Sequence, residues 1–144
     1  MALRAILEIE EKWVRCVIDT GAAVSVITDK LRKKLGLEIT GESKLKCTIA
    51  NGKKISAIGQ TKMTIYFDEL EMEITIDVIE STQDDVILGN DIWSEVNAKI
   101  DYEKKIMEIT EQGQKIQIPV EYEKLEQKEE SDEEIDDEEM DNFK

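Results

Sequence analysis

Within this 144-residue chain, one segment has residue types and spacing suited to chemistry: Val17-Ile18-Asp19-Thr20-Gly21-Ala22-Ala23-Val24-Ser25-Val26-Ile27. An apolar strand ends on a carboxylate, a small hydroxyl follows, then a glycine and two alanines, and the chain returns to an apolar strand. Small residues let another backbone approach closely, and glycine permits conformations closed to other residues. A carboxylate so placed, between an apolar strand and the N–H groups of a turn, is a candidate for acid–base work. The chain has no histidine. Serine or cysteine nucleophiles activated by histidine are therefore excluded, as are histidine-based zinc sites, and carboxylates must carry any acid–base chemistry. One carboxylate cannot serve as base and acid in the same step, whereas two that share a proton can. Asp-Thr-Gly occurs once in the sequence. A second copy of the chain, related by a two-fold axis, supplies the second carboxylate in this reading.

The elements that must position this loop are mostly strands, because apolar and polar residues alternate at period two through the first 120 residues. Leu3 to Ile9 and Trp13 to Ile18 flank a Glu10-Glu11-Lys12 turn and form a hairpin that delivers the chain to Asp19. A second hairpin spans Leu45 to Ile58 with Asn51-Gly52 at its tip, a strong two-residue turn signal. Met63, Ile65 and Phe67, then Leu70, Met72, Ile74, Ile76 and Val78, alternate with polar residues as half-buried antiparallel strands do. Short strands are expected at Val86 to Leu88, Lys99 to Tyr102, Ile106 to Ile109 and Lys115 to Val120. Thr28 can cap a helix through Leu31 and Leu35 that Gly36 ends, and Asp91 to Val96 suits a second helix.

Charge divides the chain in two. Residues 121–144 hold 13 acidic and three basic residues, and so carry −10 of the net −15. The expected organisation is therefore a folded domain over 1–120 and an acidic tail over 121–144 with too few apolar residues to pack. No run of about 18 apolar residues exists, and the alternating start does not read as a signal segment, so neither membrane insertion nor secretion is expected. Cys16 and Cys47 lie in strand-like runs without metal-binding spacing. They read as buried free thiols, which implies a reducing, intracellular, cytoplasmic setting. Lys30, Arg32, Lys33 and Lys34 read as a solvated helix face rather than a nucleic-acid patch, given the acidic remainder. Trp13 and Trp93 read as core or interface anchors.

The Asp19-Thr20-Gly21-Ala22 segment resembles the active-site loop of retropepsins, the dimeric aspartic proteases of retroviruses and retrotransposons. Three further features match in order: the Asn51-Gly52 hairpin, where the family has its substrate-covering flap; Asp85-Val86-Ile87-Leu88-Gly89-Asn90-Asp91-Ile92-Trp93, similar to the second family signature; and Ala98 to Tyr102 with Lys104-Lys105-Ile106, similar to the strand pair of gypsy-type retrotransposon proteases. The resemblance implies an all-β, retropepsin-like barrel, one lobe per chain with two short helices, whose active site sits on the two-fold axis of a homodimer. It implies that Asp19 is the catalytic carboxylate, that Thr20 bonds across the dimer, and that Gly21 holds the turn and offers its carbonyl to substrate. Ala22 and Ala23 would border the groove, Asn51 and Gly52 would close over a bound peptide, and Gly89 would let Ile87-Leu88 pack beneath the loop. The sequence departs from many retroviral members at Ala23, where those carry an aspartate, and at the hairpin tip, where Gly52 stands without the usual further glycines.

The reading that follows is an aspartic endopeptidase acting on extended polypeptide, with no cofactor, metal, nucleic-acid partner or membrane, whose natural role is processing of a retroelement polyprotein. Two alternatives stay open on the sequence. One is a weak or silent dimerisation and peptide-binding domain whose acidic tail recruits a partner; the other is a cellular protein-processing peptidase.

Overall fold

The computed structural model describes residues 2–48, 52 and 54–123. The first hairpin consists of β1 (Ala2–Ile9) and β2 (Lys12–Ile18). Ile9 pairs with Lys12, so Lys12 belongs to the strand and the turn is only Glu10-Glu11. Both glutamates adopt left-handed φ, 51° and 69°, as a two-residue turn matching the strand twist requires. The turn is anchored to the neighbouring strand: Glu10 Oε2 accepts from Thr64 N at 2.9 Å, and Glu10 N donates to Thr64 O at 3.2 Å.

After the Asp19 loop come β3 (Val26–Thr28) and α1 (Asp29–Lys34), then β4 (Lys46–Thr48), β5 (Lys54–Phe67), β6 (Leu70–Ile79), β7 (Val86–Leu88) and α2 (Asn90–Trp93). Thr28 caps α1 as expected, its hydroxyl accepting from Leu31 N at 3.4 Å, and Gly36 ends the turn beyond it at φ 74°. Expected over Asp91 to Val96, the second helix is a single turn at Asn90–Trp93, because Asn97 turns left-handed at φ 52° soon after. Residues 54–67 form one 14-residue strand rather than two separate ones; a bulge between Ala57 and Gly59 lets its start pair with β4 and its remainder with β6. The basic residues of α1 are largely engaged: Arg32 and Lys33 pair with Asp29 at 2.6 and 3.3 Å, and Lys34 pairs with Asp84.

Six strands close on themselves in the order β1-β2-β7-β3-β6-β5, and Ile9↔Ile65 joins β5 back to β1. Within this barrel β2 runs parallel to β7, and β3 parallel to β6. A second sheet of β8 (Lys99–Asp101), β9 (Ile106–Glu111) and β10 (Gln114–Pro119) turns Met107, Ile109, Ile116 and Ile118 into the same core. The alternation read from sequence is realised there: Met63, Ile65, Phe67, Ile76 and Val78 are buried. Each such side chain contributes roughly 1.5–3 kcal/mol by leaving water. Phe67 meets Trp93 edge-on, with ring centroids 6.1 Å apart at 63°. Trp13, by contrast, is exposed and takes no part in the core. Cys16 is a buried free thiol whose burial pushes its pKa up to about 12, which keeps it protonated and unreactive; the side chain of Cys47 lies outside what the structure describes. Among the described residues, no helix is long and apolar enough to cross a membrane.

The first residues of the expected acidic tail are folded. Glu121–Glu123 form β11, paired with β1 through Arg4↔Glu121, Leu3↔Tyr122 and Ala2↔Glu123. Charge explains why so acidic a strand docks: Arg4 donates to Glu123 at 2.6 Å and to Asp85 at 3.0 Å, while Arg15 reaches Glu121 at 2.8 Å and Glu123 at 3.1 Å. Residues 124–144, the remainder of that tail, lie outside the described residues. Partial burial alone would raise the Glu123 pKa, but the hydrogen bond from Arg4 and the charges of Arg4 and Arg15 outweigh it and hold it below the ordinary 4.5. A depressed carboxylate pKa stabilises the fold above the unfolded value and ceases to do so as pH falls through the folded one. The expected result is that Glu123→Gln lowers the thermal midpoint at pH 7, and that its gap from wild type closes as pH drops below 4.5; melting curves across that range check it.

Candidate active site

Parallel pairing of β2 with β7 brings two distant segments side by side, Val17 against Ile87 and Ile18 against Leu88. The next residue continues the ladder, Asp19 N donating to Leu88 O at 3.0 Å. Here the chain turns: Gly21 N donates to Asp19 Oδ1 at 3.0 Å, and Ala22 N to Asp19 O at 3.1 Å. The return leg is fastened to the same partner segment, with Asn90 N donating to Ala22 O at 2.7 Å. Ser25, only 2 % exposed, closes the far end. Its hydroxyl donates to Asp91 Oδ1 at 2.7 Å and accepts from Gly89 N at 2.8 Å, while its own N–H donates to Asp91 Oδ2 at 3.1 Å. The loop is thus bonded at its entry, middle and exit to residues 88–91.

Sequence explains why these segments can meet so closely. A Cβ on Gly89 would stand 2.7 Å from Ala22 O and 2.9 Å from Val24 O, both backbone atoms, so only glycine fits. Below, the buried Trp93 ring donates from Nε1 to Leu88 O at 2.7 Å and fixes the segment that carries the loop. Gly21 differs from expectation: its φ is not left-handed, and a Cβ there would meet only Asp19 Oδ1 at an ordinary 3.4 Å. The turn closes through the Asp19 carboxylate instead of through a backbone conformation reserved for glycine.

Asp19, Thr20, Gly21 and Ala23 are exposed together on this loop, and Ala22 is half-buried. Gly52 is exposed at φ 83°, in a hairpin whose strands pair in the register Lys46↔Ser56 and Thr48↔Lys54; Asn51 lies outside the described residues. Ala57 N donates to Leu45 O at 3.0 Å at the base of that hairpin. Sequence reasoning assigned no role to Ser25 or Asp91. In a linear reading Ser25 is one small residue in an apolar run, and Asp91 is an ordinary acid in the first turn of a helix, where the dipole favours one. Only the pairing of β2 with β7 joins them. Among the described residues no group of three or more acidic, cysteine or histidine side chains is placed to hold a metal ion.

A single-lobed barrel with an Asp-Thr-Gly loop pinned against a glycine-bearing strand and short helix is a retropepsin-like acid protease domain. The chain belongs to the family described as "gag-polyprotein putative aspartyl protease", whose pattern matches residues 5–95. Solved structures similar to it include the retroviral protease-like domain of Ddi1 from Leishmania major, at TM-score 0.64 and 16 % identity over 85 % of this chain and 95 % of that one. EIAV protease, solved in complex with an inhibitor, superposes at TM-score 0.59 with 22 % identity over 70 % of this chain and 93 % of its own. A retropepsin-like aspartic protease from Rickettsia conorii gives TM-score 0.53 with 20 % identity over 68 % and 82 %. At these identities the likeness establishes the fold. Compared by sequence with curated proteins, the chain matches none.

Proposed function

We propose that the chain is an aspartic endopeptidase that works as a homodimer, each copy supplying one Asp19. The observation that carries this reading is an exposed carboxylate on a loop fastened at three points to the Leu88–Asp91 segment, present once per chain. Such a loop is rigid enough to hold a reacting group in place, and one copy of it is half of a two-carboxylate site. In the reaction, one ionised Asp19 takes a proton from water as that water attacks the scissile carbonyl carbon. The protonated Asp19 of the partner subunit hydrogen-bonds the carbonyl oxygen and passes its proton to it as the tetrahedral species forms. The C–N bond then breaks as the first Asp19 gives its proton to the leaving amine and Asp19 of the partner subunit takes one back from a hydroxyl of the tetrahedral species, so the pair again holds one shared proton.

Thr20 bonds between the two loops, the Gly21 carbonyl accepts from substrate backbone, and Ala22 and Ala23 leave room for an extended peptide. The hairpin carrying Asn51 and Gly52 covers that peptide, which binds as an added strand. No metal or nucleotide enters this scheme. The natural substrate, in this reading, is a retroelement polyprotein, and the acidic residues beyond 123 are an appendage to the catalytic domain.

Activity should then depend on protein concentration. Specific cleavage of an unstructured polypeptide is expected to fall on dilution in step with the dimer fraction measured by sedimentation. Full specific activity from a demonstrated monomer overturns the two-carboxylate reading, and a dimer that binds peptide without cutting it supports a silent binding module instead.

A further inference from the structure

Trp13 belongs neither to the core nor to the site above. It is 73 % exposed, and Ile6 on the adjoining strand is 57 % exposed. We propose that the outer face of the barrel around Trp13 and Tyr66 docks an arginine-rich segment of a partner protein, an inference that goes beyond the proposed function and does not depend on it.

Strand register assembles this face. Glu71 lies opposite Tyr66, Tyr66 opposite Glu8, and Glu8 opposite Trp13, so the four form one row across β6, β5, β1 and β2. Directly opposed residues point to the same side of a sheet. The residues that alternate with them, among them Ile9, Val14, Ile65 and Phe67, fill the core, so this row points outward. Ile6 opposes Arg15 in the next outward pair and stands diagonal to Trp13. Two strand spacings separate Trp13 from Tyr66, about 10 Å, with Glu8 between them.

Charge selects the occupant. The Tyr66 hydroxyl is held above its ordinary pKa of 10, first by the charge of Glu71, then by desolvation and by Glu11, Glu8 and Glu10, so four carboxylates surround that ring. Glu10 accepts from Thr64 N, whereas among the described residues Glu8, Glu11 and Glu71 make no ion pair. The cations flanking Trp13 in β2 are committed elsewhere: Arg15 to Glu121 and Glu123, and Lys12 to Lys34 O at 2.9 Å. Lys62 stands two rows further along β5, about 13 Å from Tyr66. A guanidinium matches what remains. It stacks on an aromatic ring and forks two N–H groups to a carboxylate, so an arginine laid between Trp13 and Tyr66 meets the rings and Glu8 together. Tryptophan and arginine are also the residues that most often anchor protein interfaces. Nucleic acid, and the chain's own acidic residues beyond 123, are repelled by the same field. Trp13 precedes Asp19 by six residues of extended strand, about 20 Å, so a segment held here stays clear of the active-site loop.

The test uses the full 144-residue chain and a short peptide of alternating arginine and serine, with a glutamate–serine peptide as its counterpart. Trp13 and Trp93 are the two tryptophans, and Trp93 is buried, so acrylamide quenching of tryptophan emission reports on Trp13. At physiological ionic strength the arginine peptide should shield Trp13 from acrylamide and the glutamate peptide should not. Affinity is read from the anisotropy of labelled peptide. Trp13→Ser should weaken binding about tenfold, and Glu11→Lys/Glu71→Lys should weaken it about tenfold as well. Glu95→Lys/Glu103→Lys, which makes the same charge change outside this row, should stay within about threefold of wild type. All these positions are exposed, so the fold is kept, and circular dichroism checks it. The proposal is overturned if Trp13 is not shielded, or if Trp13→Ser binds as wild type does, which would assign the peptide to the acidic residues beyond 123. Equal losses from the two charge reversals overturn it too, because net charge alone would then hold the peptide. Sedimentation without peptide covers the remaining occupant: weaker self-association of Trp13→Ser would assign the face to a second copy of the chain and overturn the arginine-rich partner.

Discussion

Asp19→Asn is expected to abolish peptide cleavage while leaving the barrel folded and the dimer formed. Asparagine matches aspartate in shape, and its Oδ1 can still accept from Gly21 N, the hydrogen bond that closes the turn. The ladder bond from residue 19 N to Leu88 O involves backbone alone and is untouched. An amide, however, cannot take a proton from water or hand one to a carbonyl, and symmetry removes both groups with one substitution. General acid–base help is worth roughly 100- to 10,000-fold for each group, so a loss beyond about 10,000-fold is expected. Replacing the pair also removes like-charge repulsion between two neighbouring carboxylates, so dimer stability should hold or rise. The measurement is hydrolysis of an unstructured polypeptide by both proteins, with circular dichroism and sedimentation as fold controls. An asparagine variant that dimerises and cuts at the wild-type rate would show that Asp19 is not the catalyst.

Gly89→Ala should act through geometry instead of chemistry, and on stability and activity together. The added methyl would meet Ala22 O and Val24 O at 2.7 and 2.9 Å, and neither atom can swing aside as a flexible side chain would. Relief requires the loop to lift from residues 88–91, lengthening the bond from Asn90 N to Ala22 O and the contacts of Ser25 with Gly89 N and Asp91. Overpacking of this kind costs about 1–3 kcal/mol, which for a domain of this size lowers the thermal midpoint by several degrees. A displacement of about 1 Å at a reacting group costs on the order of 100-fold in rate, so cleavage should fall further than the unfolded fraction explains. Gly21→Ala is the control for the monomer fold, because a Cβ there finds ordinary contact distance. Thermal melts of the two variants, with cleavage rates corrected for folded protein, decide the matter: equal midpoints would show that the Gly89 contact is not tight in solution.

Local physics made much of this molecule readable in one dimension. Period-two alternation marks the buried faces of β5 and β6, a hydroxyl at Thr28 and a glycine at Gly36 mark the two ends of α1, and the absence of histidine leaves carboxylates as the acid–base groups. The Asp-Thr-Gly loop between apolar strands, with the Val86 to Trp93 segment downstream, was enough to point to the family. Alternation specifies which face of a strand is buried but not which strand lies beside it. Tertiary structure alone therefore decided that β2 runs parallel to β7, that β5 closes the barrel on β1, and that Glu121–Glu123 leave the acidic tail to become a strand. The strand at 121–123 was hidden because composition counts its two glutamates as charges that repel, while in the fold they meet Arg4 and Arg15, more than 100 residues earlier. Ser25 and Asp91 were hidden for the same reason. Their 66-residue separation carries no local signal, and only the close approach that Gly89 permits lets a buried hydroxyl find the carboxylate and backbone N–H that satisfy it.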